Sequence, residues 1–550
     1  MELTFANLFR LAAILLMVSL AYLPGINSPY YFDDEHNIIE NSKTQIRNIL
    51  DFQTLSSEQP RVDQTRLFAY WTFGVNRLTT GLEDPGPLRL TNIGIHLFNV
   101  LLLYLFFYRL LFLTTKNFER TKYIALLAAS VWALHPINSQ SILYIVQRMT
   151  LLSATFSLLA LNLYLGGRAH TNGPRLFRWI LSIPVMIFGI LSKETAVLIP
   201  FGIILVEWYI RAKTEDPEQK TSSDRLLIGG LLGLGTAAVT LCWNYADQFS
   251  HSFALRPFDV FQRVLTEGRV LILYLKLFLF PLPSNLHFLH DLEYSQNVFS
   301  PPSTLISWVV LLFIIVTSFV LRRKLPELFL TVGWFFLFHA LEAGPLPLEL
   351  AFEHRNYIPT TMLSLGLVLA IASILRSKKT TIFFTIAIMI TFGCFTALRS
   401  QMWTRPMVLL SQDHLRYPSS ARIALYRANL LKDQDRIEES YRLLSDFVRD
   451  YPHPVEHTAG FEQAEVFVFL GNYVSIQGNI LDSINWYKRA LEVSPGHQLA
   501  LYNLVQAYLD LDDFRSAQTV FKHLEDLHPT WSEAGQLKIR IMQKSRPQNY

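Results

Sequence analysis

Long apolar runs recur along the first 400 residues, and they decide what this chain can fold into. They fall at Leu8–Leu23, then near 90–113, 122–137, 141–165, 178–192, 195–210, 225–243, 302–321, 327–343, 357–376 and 380–398. A hydrocarbon layer about 30 Å thick needs about 20 apolar residues per crossing helix. The series predicts a polytopic helix bundle of about eleven spans, since lipid demands that every backbone group be satisfied internally. Composition agrees: 51% of residues are hydrophobic and 17% charged, with a mean hydropathy of +0.26. Those figures exclude a soluble enzyme, a disordered chain and a collagen-like repeat. A net charge of +4 is too mild to suggest nucleic acid. The two cysteines, Cys242 and Cys394, lie in apolar runs, so neither a disulfide framework nor a thiolate metal site is expected.

Clusters of Lys and Arg orient the bundle. Lys116/Arg120/Lys122, Arg168/Arg175/Arg178, Arg211/Lys213, Arg322/Arg323/Lys324 and Arg376/Lys378/Lys379 are each expected on the cytoplasmic side. All five share one side if the apolar but charged stretch 260–283 makes no net crossing. With Arg263, Glu267, Arg269 and Lys276 inside it and Pro281 and Pro283 behind it, that stretch reads as re-entrant or interfacial. The opposite side then receives the 25–88 loop, the helix ends near His135, Lys193 and Glu353, and the C-terminal tail.

The tail has a different grammar. With Ala464 as position 1, Phe467, Leu470 and Gly471 fall at 4, 7 and 8, and Tyr487, Ala490 and Pro495 at 24, 27 and 32. A shift of 34 residues restores the pattern at Leu501, Leu504, Tyr508, Ala517, Phe521 and Pro529, the period of tetratricopeptide repeats. An earlier unit shows Ala428, Ser440, Leu444, Phe447 and Pro452, with an insertion near Val455–Gly460. The expected organisation is a membrane domain over 1–400, an α-solenoid of repeats over 401–540 and a short tail over 541–550. The fold class is all-α throughout. Stacked repeats bind partners rather than catalyse.

Four polar groups fall on the extracytoplasmic side, where ionisable residues at a membrane mouth are functional candidates. Asp33 and Asp34 follow an apolar Tyr-Tyr-Phe. A carboxylate there suits proton abstraction or a divalent cation, and equally a helix cap. His135 opens a His-Pro junction that leads to Arg148, whose guanidinium suits a phosphate. Lys193 and Glu194 form a charged turn between two apolar helices. Glu353, His354, Arg355 and Tyr357 open a late span, with Arg355 a further phosphate candidate.

Read in order, these motifs resemble the GT-C class of integral-membrane glycosyltransferases. Within it they are most similar to the transmembrane and tetratricopeptide-repeat O-mannosyltransferase group and its bacterial relatives. The resemblance rests on YFDDEHNIIEN (31–41), the stretch 67–104, LHPINSQSILYIVQR (134–148), SKETAVLIPF (192–201), PLPSNLHF (281–288), FEHRNYIPT (352–360) and the repeat tail. It implies a polyprenyl-phosphate sugar donor and inversion by direct displacement. It further implies Asp33 as base with Asp34 beside it, and Arg148, Lys193 and Arg355 on the leaving phosphate. Glu194, His354, Tyr357, His135 and Glu353 would support them. The group's Arg-Pro-Leu reads Arg66-Leu67-Phe68 here, which leaves Arg66 without an implied role. No cofactor or metal is required by this reading, although Glu35 leaves room for a divalent cation.

The expected partners are the lipid-linked donor, a protein acceptor recruited by the repeats, and membrane lipid, with no nucleic acid. The expected location is a bacterial inner membrane with periplasmic repeats, the alternative being the endoplasmic reticulum with lumenal repeats. Two other functions compete: transfer to a lipid or polysaccharide, and a non-enzymatic scaffold that presents the repeats. The short 344–356 loop disfavours an oligosaccharide ligase.

Overall fold

The computed structural model describes residues 5–56, 65–115, 117–169, 174–213, 256–452, 460–529 and 531–544, with isolated positions between 222 and 253. About half of the expected span 225–243, and most of the insertion near 455–460, lie outside the described residues. The chain divides into two compact units. The first holds most of the chain up to Pro406. The second holds Met407 onward, with Ser252–Asp259 and Leu289–Tyr294. Among the described residues there is no strand, only an isolated bridge between Asn297 and Ser300.

The first unit is a helix bundle. Its helices are α1 (Phe5–Tyr22), α2 (Phe52–Ser56), α3 (Leu67–Thr80), α4 (Gly86–Thr115), α5 (Phe118–Ala133), α6 (Ser139–Leu143) and α7 (Arg148–Arg168). They continue with α8 (Pro174–Ile190), α9 (Ile199–Ala212), α10 (Val260–Leu279), α11 (Ser303–Val320), α12 (Pro326–His339), α13 (Pro359–Leu375) and α14 (Lys378–Trp403). Among the described residues, five helical stretches are long and apolar enough to cross a membrane: Gly86–Thr115, Ile145–Arg168, Glu194–Ala212, Ser303–Val320 and Lys378–Trp403. Phe9–Gly25, Leu176–Ile190 and Pro359–Leu375 are apolar but shorter.

Lipid gives no hydrophobic reason for one helix to choose another, so polar side chains and close packing select the neighbours. Helix α4 carries a row of buried amides. Asn99 donates to the Leu151 carbonyl at 3.0 Å and Asn162 of α7 to that of Leu102 at 2.9 Å, tying α4 to α7. Trp132 of α5 donates to the Tyr357 carbonyl at 2.9 Å, and Thr396 of α14 to that of Leu134 at 2.7 Å.

The stretch expected to be re-entrant or interfacial is one unbroken helix, α10. Two of its charges, Arg263 and Glu267, are buried against protein. Arg263 pairs with Glu267 one turn on at 2.9 Å and donates to the carbonyls of Glu342 and Gly344 at 2.7 and 3.1 Å. Near its other end, the Phe278 carbonyl lies 3.0 Å from Nε2 of His135. Both ends of α10 therefore meet loops at the same end of the bundle.

The second unit contains α15 (Pro406–Arg416), mostly, and then paired helices. These are α16 (Ala421–Asp433) with α17 (Ile437–Asp450), α18 (Gly460–Ile476) with α19 (Ile480–Val493), and α20 (Gln498–Asp510) with α21 (Phe514–Leu527), followed by α22 (Ser532–Lys544). The repeat phase is visible in the backbone. Each pair turns through a residue of positive φ, Asp435 (59°), Gly478 (83°) and Asp512 (57°), one at the same repeat position in each unit. Asn479 and Asp513 then cap the second helix of their pairs by accepting from Asp482 and Ser516 N–H. Position 8 must be small because position 24 is large: a Cβ on Gly471 would lie 2.5 Å from the Tyr487 ring.

Gly471→Ala tests this packing. The gain in helix propensity is about 1 kcal/mol, whereas overpacking a tight core costs about 1–3 kcal/mol. With Tyr487 itself buried, the clash outweighs the gain. Thermal unfolding of the purified full chain should show a lowered repeat transition, and Tyr487→Leu in the same chain should restore part of the loss.

Candidate active site

The acidic loop after α1 gives its two aspartates opposite environments. Asp34 is fully buried and accepts from the N–H of Tyr31 at 3.0 Å and of Val146 at 2.7 Å. Burial pushes its carboxyl up to about 7, against the pull of those two N–H donors and of Arg89. Asp33 is exposed. Its N–H donates to the Tyr144 hydroxyl at 3.0 Å. Phe32, immediately before it, has φ of +36°. A bulky L-residue in that region is strained, and such strain gathers at functional sites. One aspartate anchors the loop and the other is offered to the outside.

Aromatic rings wall this corner. Phe32 stacks on Phe288 at 4.7 Å, Tyr144 meets Phe288 edge-on at 5.4 Å, and Tyr31 meets Trp403 at 5.1 Å. The Tyr31 hydroxyl donates to the Trp403 carbonyl. Arg89 is buried behind the loop and donates to the carbonyls of Ser28, Pro29 and Leu143.

The His-Pro junction ties the other groups together. From His135 to Thr150 the chain is broken into short helical pieces and almost wholly buried. Val146 holds Asp34. Gln140 accepts from His354 N–H at 2.9 Å and donates to the Phe288 carbonyl at 2.9 Å. Thr150 accepts from Lys193 at 3.2 Å. All four sequence-derived groups thus converge on one end of the bundle.

Lys193, Thr150, Glu342, His354 and Arg355 line a narrow cavity of about 10 Å³, room for about one water. Lys193 is paired with Glu342 at 2.7 Å. Arg355 donates to the carbonyls of Leu350 and Glu349 at 2.9 and 2.8 Å. Burial holds His354 well below the usual histidine range, helped by the charges of Lys193, Arg355 and Arg66. It is therefore neutral at pH 7. Glu194 pairs with Arg66, Nε to Oε1 at 3.0 Å and Nη2 to Oε2 at 3.2 Å. Arg66, left without a role by the sequence, belongs to this cationic corner. Glu342 was concealed because it ends an apolar run.

Four expected site residues are occupied elsewhere. Arg148 is fully buried, and its guanidinium donates to Asn92 and Asn76 at 2.8 and 2.6 Å and to the carbonyls of Thr72 and Leu88 at 3.1 and 3.0 Å. It lies 4.4 Å over the Phe73 ring. Every nitrogen has a protein acceptor, which suits a brace between α3, α4 and α7 better than a phosphate ligand. Tyr357 bonds His96 at 2.7 Å and Asn99 at 3.2 Å inside the bundle. His135 accepts from Ile137 N–H at 3.2 Å as a helix cap. Glu353 accepts from His287 N–H at 2.7 Å and fixes the 281–288 loop. Among the described residues no three His, Cys, Asp or Glu side chains gather to hold a metal ion.

Comparison with known proteins comes to the same place from another direction. Residues 476–541 match the tetratricopeptide repeat family. The chain is 26% identical over 289 residues to the protein O-mannosyl-transferase Tmtc1 of Drosophila melanogaster. That match covers 50% of this chain and 29% of the fly protein, so the chain spans less than a third of that relative's length. A bundle of apolar helices with a repeat tail defines a membrane protein with a tetratricopeptide solenoid. Over the matched half, the chain is similar to that O-mannosyl-transferase.

The two aspartates should separate by stability. Asp34→Asn turns an N–H donor toward Tyr31 or Val146, and an unsatisfied buried group costs about 1–3 kcal/mol. Its thermal midpoint should fall, while Asp33→Asn should unfold with the wild type. Equal midpoints for both variants would contradict the assignment of Asp34 as the anchor.

Proposed function

We propose that this chain is a membrane glycosyltransferase that moves a sugar from a polyprenyl-phosphate donor to an acceptor hydroxyl, with inversion. The acceptor proposed is a Ser or Thr of a polypeptide held by the repeats. The observation that carries this reading is the pairing of an exposed, clamped carboxylate, Asp33, with a cationic cleft on the same end of the bundle. The acceptor oxygen attacks the anomeric carbon as its proton passes to Asp33. The bond from that carbon to the phosphate oxygen breaks, and its electron pair leaves with the polyprenyl phosphate. Negative charge grows on the phosphate in that step, so fixed cations there stabilise the transition state more than the ground state.

Lys193 and Arg355 are the phosphate ligands in this scheme, with Arg66 adding charge from its pair with Glu194. A phosphate at Lys193 displaces Glu342 and widens the cleft, which otherwise has room for about one water. Arg148 acts through position, by holding the junction that bears Tyr144 and Val146. An apolar cavity of about 490 Å³ suits the lipid chain, with Phe201, Leu205, Phe336, Leu337 and Ala340 among its lining. It runs beside the end of α12 whose Phe338 also lines the cationic cleft. The proposed topology keeps about eleven crossings, with the site and the repeats outside the cytoplasm, as the basic loops require. A bacterial inner membrane with periplasmic repeats is the proposed setting.

Membranes that carry wild-type or Asp33→Asn protein, given radiolabelled polyprenyl-phosphate sugars, test the scheme. Loss of a general base should lower transfer about 10²–10⁴-fold at equal protein level. Label recovered in protein rather than in lipid supports the polypeptide acceptor. Unchanged transfer in Asp33→Asn would end the proposed role of this carboxylate.

A further inference from the structure

A second polar cavity lies at the other end of the bundle, and the proposed transfer reaction does not use it. Helix α13 starts beside the His354–Tyr357 corner and ends at Arg376; seventeen residues carry it about 25 Å away. There, a cavity of about 490 Å³ opens between the start of α5 and the α13–α14 turn, with Arg120, Tyr123, Arg376, Ser377 and Lys378 among its lining. Its one carboxylate, Glu119, sits 3.9 Å from Lys378 and 4.0 Å from Lys122. That leaves the guanidinium groups of Arg120 and Arg376 with no carboxylate of their own among the described residues.

Arg376 supplies an independent observation. It caps α13 in the left-handed region, with φ of +54°. Glycine is the residue for that position, because a Cβ is strained there. The chain keeps an arginine at the mouth of the cavity at the expense of local backbone strain. The starts of α5 and α14 both face the same space, and their partial positive charge adds to that of the side chains. Exposed apolar residues on the adjoining helix surfaces, Ile374 and Phe384, continue away from the cavity toward the bundle's flank.

We infer that this cavity binds the phosphate of an anionic glycerophospholipid, with Arg120 and Arg376 on the phosphate oxygens and the acyl chains along Ile374 and Phe384. Such a site is independent of the glycosyltransferase reading. It anchors the α4–α5 and α13–α14 turns to one leaflet and so ties helices that reach the candidate active site to the lipid around them.

Native mass spectrometry of the detergent-purified full chain, titrated with phosphatidylglycerol, phosphatidylethanolamine or inorganic phosphate, tests the inference. Retained phosphatidylglycerol should exceed phosphatidylethanolamine. Each of Arg120→Gln and Arg376→Gly should weaken its retention about fivefold, as expected for one cation near a membrane surface. Arg376→Gly relieves the left-handed strain, so its lipid-free thermal midpoint should be no lower than wild type, and lost retention there cannot be ascribed to misfolding. Arg323→Gln, in another basic turn, should retain lipid as the wild type does. Equal retention in all variants would overturn the inference. So would displacement of the lipid by an equimolar amount of inorganic phosphate, which would mark a plain anion site.

Discussion

The fold turns on one constraint: an irregular, buried stretch of chain inside an apolar bundle must have its backbone polar groups met by protein. Residues 134–150 are that stretch. Asn92 meets the carbonyls of Ile142 and Ile145, each at 3.2 Å. Arg89 meets the carbonyl of Leu143 at 2.9 Å, and Asp34 meets the N–H of Val146. The partners come from the acidic loop and from α4, so satisfying this backbone also fixes where Asp33 stands. Removing any one partner leaves a buried backbone group unsatisfied, and the position of the acidic loop depends on all of them together.

The same constraint explains why charged residues close together serve different ends. Asp34 and Arg148 point inward and are consumed by protein donors and acceptors. Asp33 and Lys193 lie one residue before a structural partner or at a helix break, where a side chain can reach a cavity. Adjacent positions in sequence thus split into a buried anchor and an exposed carboxylate. Tyr144 links the two roles, since it sits in the junction and holds Asp33 from outside.

Much of this was legible in the sequence and some was not. The repeat tail could be read to the residue, because the fit of Gly471 against Tyr487 leaves a fixed spacing behind. Convergence of the four polar groups followed from counting charges across spans. The role of Arg148 did not follow, because an arginine near a helix start looks the same whether it faces a phosphate or two asparagines. Its acceptors, Asn76 and Asn92, lie about 60–70 residues earlier in the chain. Glu342 was absorbed into an apolar run, and Arg66 was set aside because a motif differed beside it. Stretch 260–283 read as re-entrant or interfacial because its charges, taken without partners, have no place in a helix against lipid. Arg263 finds those partners in a loop some 80 residues on.

The resulting account has one central claim: the cationic cleft and Asp33 flank a single donor, whose lipid chain lies along α9 and α12. A cryo-electron microscopy map of the full chain with a non-hydrolysable polyprenyl-phosphonate sugar tests it most directly. The account predicts phosphonate density within hydrogen-bond reach of Lys193 and Arg355, the chain in the cavity lined by Phe201 and Leu337, and the anomeric carbon turned toward Asp33. Density for the donor away from Lys193 and Arg355, or with its sugar out of reach of Asp33, would contradict it.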